Sequence, residues 1–295
     1  MPIIQLEQKR FLERCLMNLE NIRENTKCRS GHGKHETLMW ETTLSGEHYG
    51  IKDVPWIPKR LETKIKMEIF DWKKYENSPN YCPGDDAFSV SIFRNGVWEG
   101  YETSVYLDIL HQGDKKNIVL DIGCQLGWYT VLAGLKGYKV RAFDFCEETI
   151  EVFWKNMKHN GITDKVEMVE VFIDEDTEPI KVEGQIEFLK CDIEGAEKDM
   201  YKATKHLFEN KQVNYAMLEI SPCFNDSYPK LCKDIKSHGY KVFAIPTKGF
   251  NYFDEYAEEP LKTIKKYCEL SDHWLETELP KLRQENFLFI RNELI

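Results

Sequence analysis

The chain has 295 residues, 42% hydrophobic and 31% charged, with a formal net charge of -10. That balance supports one large domain, or one domain with an extension, and argues against a protein that grips a phosphate backbone through released counterions. No run approaches the roughly 18 apolar residues that span a bilayer, and the amino terminus lacks the apolar segment of a secretory signal. The 9 cysteines form no C-x-x-C pair, which points to reduced thiols in a cytoplasmic protein.

Residues 5 to 27 set Leu6, Phe11, Leu12, Cys15, Leu16, Leu19 and Ile22 mostly at helical steps. Beyond Lys27 glycines interrupt the pattern. His32, His35 and His48 fall here without a carboxylate or cysteine partner at ligand spacing, so no metal site is expected. Asp53 to Tyr81 carries Trp56, Trp72, Tyr75 and the prolines Pro55, Pro58 and Pro79. These aromatics suit a small satellite core, or stacking on a flat ligand. Phe88 to Phe93 and the residues after Asn95-Gly96 read as two short strands about a hairpin turn. Glu99 to Leu110 reads as a helix. A domain boundary is expected near residue 85, leaving 1–85 as an N-terminal α/β extension for substrate binding or oligomerisation, and 86–295 as the main domain.

From there the pattern is regular. Strands are expected at 117–121, 139–144, 166–172, 186–191, 214–220, 240–245 and 286–291, and helices at 127–136, 147–160, 195–209 and 228–238. Alternating strands and helices predict an α/β, Rossmann-like fold with a mostly parallel sheet. Residues 248–284 interrupt the rhythm before the last strand, a length that suggests a functional insertion such as an acceptor lid. The last strand is expected to return antiparallel as an edge, an ending that suits a seven-stranded methyltransferase sheet.

The first strand delivers Asp121 into a turn, with Gly123 and Gly127 in a D-x-G-x-x-x-G spacing. This is how an open α/β sheet builds a nucleotide pocket at the carboxyl ends of its strands. No Gly-Lys-Ser/Thr follows, so the turn is not a P-loop. Cys124 and Gln125 stand where a second glycine would admit a pyrophosphate. A nucleoside without phosphates remains. Asp144 ends the second strand about 20 residues beyond Asp121, where a carboxylate accepts ribose hydroxyls. Phe145 is a candidate to stack on the base. The third strand ends Val171-Phe172-Ile173-Asp174, and Asp174 is a candidate for an adenine amino group.

Lys190, Asp192, Glu194 and Glu197 surround the end of the fourth strand, where so many charges suit the mouth of a site rather than a strand interior. Glu197 equally suits a first-turn acid favoured by the helix dipole. Glu219 lies inside the apolar fifth strand, where an acid must be paired or functional.

Asp-Ile-Gly-x-x-x-Gly at 121–127, Leu-Lys-Cys-Asp-Ile-Glu-Gly-Ala-Glu at 189–197 and Leu-Glu-Ile at 218–220 together resemble the FkbM-type S-adenosylmethionine-dependent methyltransferases. The resemblance covers roughly residues 96 to 245 and the last strand. Family members typically read Ala-Asn at Cys124-Gln125, and Phe-Glu-Pro at Phe143-Asp144-Phe145. The resemblance implies S-adenosylmethionine as cofactor, held by Glu102, Asp121, Gly123, Cys124, Gln125, Gly127, Asp144, Phe145, Ile173, Asp174 and Asp192, with Glu102 on its amino group. It also implies methyl transfer to a hydroxyl, commonly of a sugar or a polyketide. A sugar hydroxyl is barely acidic, so a base is expected. Asp192 is the first candidate, Glu194 and Glu219 are alternates, and Lys190 orients an acid or the acceptor. Asp192 equally fits a structural role beside the cofactor.

A glycan sugar is the leading acceptor, because acid-rich loops and the aromatics Trp40, Trp56, Trp72, Tyr252, Phe253, Tyr256 and Trp274 suit sugar faces. They suit a protein interface too. A lipid, polyketide or nucleic-acid acceptor is the alternative, nucleic acid being disfavoured by the net charge. The intact acids Asp121, Asp144 and Asp192 speak against a non-catalytic binding module.

Overall fold

Every residue of β6 (Ile186–Cys191) and of β7 (Val213–Ile220) is buried, the pattern of interior strands covered on both faces. They are the centre of a seven-stranded sheet in the order β5-β4-β3-β6-β7-β9-β8. The flanking strands are β3 (Ile118–Ile122), β4 (Lys139–Asp144), β5 (Val166–Glu170), β8 (Tyr240–Ala244) and β9 (Glu285–Arg291). This computed structural model describes residues 37–44, 59–70, 87–222, 227–245 and 258–295. The helix expected over 5–27, the three histidines, and Trp56, Trp72, Tyr252, Phe253 and Tyr256 lie outside the described residues.

Strands β5 to β7 run parallel, and β9 runs antiparallel to both β7 and β8. The result is the Rossmann-like α/β sheet expected from the sequence, with one correction. The last strand is not an edge but inserts between β7 and β8. Its burial explains the position, since the five residues Asn286 to Ile290 are all buried, which only a doubly flanked strand allows.

Two apolar clusters cover the two faces. The first takes in α2 (Gly100–Gln112), α3 (Trp128–Leu135) and α4 (Glu147–His159); the second takes in α5 (Glu197–Glu209) and α6 (Tyr228–Ser237). In α5 the buried Met200, Ala203, Thr204, Leu207 and Phe208 recur at three and four residues, the stripe of an amphipathic helix.

The stretch expected as two strands is instead the helix α1 (Ala87–Asn95). Phe88 and Ile92, one turn apart, are its buried apolar residues. Gly96 takes φ 69° and its N–H bonds to the Ile92 carbonyl at 2.8 Å. The Asn-Gly pair is therefore a helix stop, not a hairpin turn.

The described part of the 248–284 insertion folds onto the body. Helix α7 (Pro260–Tyr267) buries Leu261 and Ile264 in the first cluster. Helix α8 (Asp272–Thr277) buries Leu275 in the second, where Trp274 packs on Phe287 with ring centroids 6.1 Å apart. Trp274, expected at a sugar face, is thus part of the packing. Among the described residues no helix is long and apolar enough to cross a membrane.

An antiparallel pair not anticipated from the sequence precedes all this: β1 (Thr37–Leu44) with β2 (Thr63–Phe70). β2 alternates buried and outward residues, and Ile65, Met67 and Ile69 join the first cluster. Its other edge docks on α4. Asn156 Nδ2 donates to the Glu68 carbonyl at 3.1 Å and Asn160 Nδ2 to the Lys66 carbonyl at 2.6 Å. Two side-chain amides one helical turn apart thus satisfy backbone that a third strand would otherwise pair.

Candidate active site

The site forms where β3, β4, β6 and β7 end. Gly123 takes φ 79°, and a Cβ there would lie 1.8 Å from the Asp192 carbonyl oxygen. Gly127, at φ 87°, opens α3 with Met157 and Phe153 packed where a Cβ would stand. Between them Gln125 holds φ 47°, a conformation that costs a residue with a side chain. Its N–H donates to Asp144 Oδ2 at 2.8 Å, while Asp144 Oδ1 accepts the N–H groups of Phe145 at 2.8 Å and Cys146 at 3.0 Å. Three backbone donors fix this carboxylate, and Oδ2 keeps acceptor capacity for a ligand hydroxyl.

Asp121 and Cys124 are buried in the turn. Asp121 accepts the Thr130 hydroxyl at 2.6 Å, and burial raises its carboxyl to about 6. Burial likewise pushes the Cys124 thiol well up. Both brace the turn from behind.

Beside Asp144 lie two exposed rings. Phe145 is 39% and Phe172 41% exposed, at 4.9 Å between centroids and 83° between planes. With Glu170 and Val171 they line a shallow, open depression of the surface. Large apolar side chains left in water at a strand end are a feature of ligand sites. Phe172 was not anticipated, because a phenylalanine after a strand reads as core. Ile173 is core instead, packed in the second cluster. Asp174 Oδ1 accepts the Asp176 N–H and the Thr177 hydroxyl, each at 3.1 Å, so that acid closes its own turn.

The other half of the site is a charged cluster about Lys190. In the sheet Lys190 lies opposite Asp121 on one side and Met217 on the other, and Glu219 lies opposite Asn286. The buried Lys190 ammonium stands 3.6 Å from Asp192, 3.8 Å from Glu99 and 3.1 Å from Asn286 Oδ1. Burial alone would lower its pKa, but the carboxylates of Glu99, Asp192 and Glu219 more than offset this and hold it above the usual lysine range. Oxygens of these three acids lie within 4.8 Å of one another, and the cation among them is Lys190 itself. Glu219 is raised well above the carboxylate range by burial and then by Asp192. Gln284 Nε2 donates to Glu219 at 2.7 Å and reaches Glu194 at 3.4 Å. Glu102 is buried next to Glu99, and burial followed by that neighbour raises its carboxyl.

Of the residues expected at the mouth, Lys190 and Asp192 converge, joined by Glu219 of the fifth strand, and Glu194 stands exposed at the rim with φ 52°. Glu197 turns away. Its carboxylate accepts the Gly195 N–H at 3.0 Å and the Tyr228 hydroxyl at 2.5 Å, the first-turn acid of the alternative reading. Glu99, Tyr129, Gln284 and Asn286 complete the cluster without having been singled out. Their only sequence signal was polarity beside apolar runs.

The chain matches no model of a known protein family and no curated protein. Solved structures resemble it in fold. A precorrin-6y C5,15-methyltransferase from Geobacter metallireducens GS-15 aligns at a TM-score of 0.39 and 13% identity, over 66% of this chain and 91% of that one. The METTL16 MTase domain aligns at 0.43 and 11% identity, over 68% and 71%. An rRNA methylase from Streptococcus thermophilus aligns at 0.42 and 13% identity, over 63% and 93%. No residue role carries across at such identities.

Proposed function

We propose that this chain is an S-adenosylmethionine-dependent O-methyltransferase of FkbM type, acting on a hydroxyl, in first place that of a sugar in a glycan or glycoconjugate. The observation that carries this reading is the pairing of two half-sites. A nucleoside cradle (Asp144, Phe145, Phe172) adjoins a buried acid–base cluster (Lys190, Asp192, Glu219) across the glycine turn, where Gly123 meets Asp192.

The residues present fit the cofactor. Asp144 Oδ2 retains a lone pair for a ribose hydroxyl, and the two exposed rings offer apolar surface to an adenine. Bound there, S-adenosylmethionine supplies a methyl group on a positively charged sulfur. The chain's own work is alignment of the acceptor oxygen and removal of its proton. Asp192 and Glu219 together accept the proton. Lys190 lies 3.6 Å from Asp192, and Gln284 donates to Glu219 at 2.7 Å. A hydroxyl needs such a base more than an amine does, which favours oxygen as the nucleophile.

Incubation with methyl-labelled S-adenosylmethionine and separate glycan, lipid and RNA fractions tests this proposal. Label in the glycan fraction is expected. Label in RNA alone overturns the sugar acceptor, and failure to bind S-adenosylhomocysteine overturns the cofactor as well.

A further inference from the structure

Glu99 caps α2 with φ 43° and ψ 69°, a left-handed backbone that persists in a side-chain-bearing residue only where its surroundings enforce it. The enforcement is visible. Glu99 Oε2 accepts the Tyr129 hydroxyl at 2.5 Å, and Oε1 accepts Asn286 Nδ2 at 2.9 Å. Lys190 Nζ lies 3.8 Å from the same carboxylate and 5.3 Å from the Tyr129 ring centre. One carboxylate thereby joins the start of α2 to α3, β6 and β9, and its oxygen lies within 4.8 Å of oxygens of Asp192 and Glu219 beside the Lys190 ammonium.

We propose that Glu99 is the positioning residue of this site: it fixes Lys190 against Asp192, so that Asp192 and Glu219 act as one proton-accepting pair rather than Asp192 acting alone. This rests on the methyl-transfer reading above. As the acceptor oxygen bonds to the methyl carbon, the electron pair of the broken carbon–sulfur bond stays on sulfur. The hydroxyl proton passes to the carboxylate pair.

The groups that face this pair, its lysine or the adjoining Glu102 come from every surrounding element. Glu99 and Glu102 come from α2, Asp121 from β3, Tyr129 from α3 and Lys190 from β6. Glu194 follows β6, and Gln284, Glu285 and Asn286 enter with β9. Negative charge exceeds positive, and Lys190 is the cation among them. Loss of the Glu99 charge must therefore make the pair easier to ionise.

An infrared titration of protonated carboxyl groups tests this, with the Glu219 band assigned by its loss in Glu219→Gln. In Glu99→Gln, the amide oxygen can still accept from Asn286 Nδ2 while the amide NH2 donates to the Tyr129 oxygen, so a merely structural role would leave the titration unmoved. The expected result is a midpoint lower by about one pH unit or more, with Glu99→Asp staying near wild type. An unchanged midpoint in Glu99→Gln overturns the proposal. Should that variant not fold, a wild-type protein without a Glu219-dependent band at neutral pH overturns it equally. Calorimetry with S-adenosylhomocysteine on the same wild-type preparation keeps the questions apart. Absent binding there sinks the methyl-transfer reading, whatever the midpoint does.

Discussion

Gly123 lies against the backbone of Asp192, so that a Cβ on the first would sit 1.8 Å from the carbonyl oxygen of the second. The contact locks the nucleoside turn to the loop that carries the candidate base. A side chain at 123 must push the two apart, and its φ of 79° adds strain of about 1–3 kcal/mol. Gly123→Ala is expected to lower the thermal unfolding midpoint and to abolish S-adenosylhomocysteine binding. Binding at the wild-type affinity would mean that the turn and the loop are not joined as described.

Asp144 is held by three backbone N–H groups, so its carboxylate is placed before any ligand arrives. Asp144→Ala is expected to weaken S-adenosylhomocysteine by about 1–3 kcal/mol, the range for a charged hydrogen bond. The turn itself should survive, because Gly123 and Cys124 still donate to the Phe143 carbonyl at 2.9 and 3.1 Å. Calorimetry that finds an unchanged affinity would move the ribose elsewhere.

Asp121 gives a pH signature. Burial raises its carboxyl from 3.8 to about 6 in the folded chain. A raised carboxyl contributes stability that is fully present below the unfolded value and is lost as pH rises through the folded one. Asp121→Asn cannot ionise and can still accept the Thr130 hydroxyl. It is therefore expected to gain on the wild type by about 2–3 kcal/mol as pH rises through that window. Urea unfolding at successive pH values measures the difference. Parallel stability curves would show that folding does not raise the Asp121 carboxyl.

Lys190 is the cation of a cluster with three close acids. Removing one partner of a buried charge set leaves the others uncompensated, at a cost of about 3–5 kcal/mol. Lys190→Met should be strongly destabilised at neutral pH and regain stability as pH falls, because Glu219 keeps in the folded chain a proton that the unfolded chain has lost. The sign follows from the raised Glu219 carboxyl. A loss independent of pH would point to packing instead.

The sheet was legible because its interior strands are unbroken apolar runs, Ile-Val-Leu at 118–120 and Tyr-Ala-Met-Leu at 215–218, ending in acids or glycines. Ala87–Asn95 was misread because Phe88, Val90 and Ile92 alternate while Phe88 and Ile92 also stand one turn apart. Nine residues cannot arbitrate between two such periods. Glu99 was invisible for a different reason. Its partner Asn286 lies 187 positions away, and no local pattern encodes a pairing that only the closed sheet creates. The acids of the 189–197 loop were legible because their charge conflicts with the strand that carries them.

β2 bears on the site through a buried side chain of α4. Asn156, fully buried on α4, donates to the Glu68 carbonyl of β2 at 3.1 Å and to the Leu126 carbonyl in the glycine turn at 2.9 Å. Asn160 binds only β2 and its own helix, at Lys66 and Asn156. Either change to alanine removes hydrogen bonds to β2, part-buried ones at Glu68 for Asn156 and exposed ones at Lys66 for Asn160, so Asn156→Ala is expected to cost more. Only Asn156→Ala also frees Leu126. Both variants are expected to unfold at lower denaturant, but Asn156→Ala alone should weaken S-adenosylhomocysteine. Equal cofactor affinity in the two would show that β2 stabilises the domain without reaching the turn.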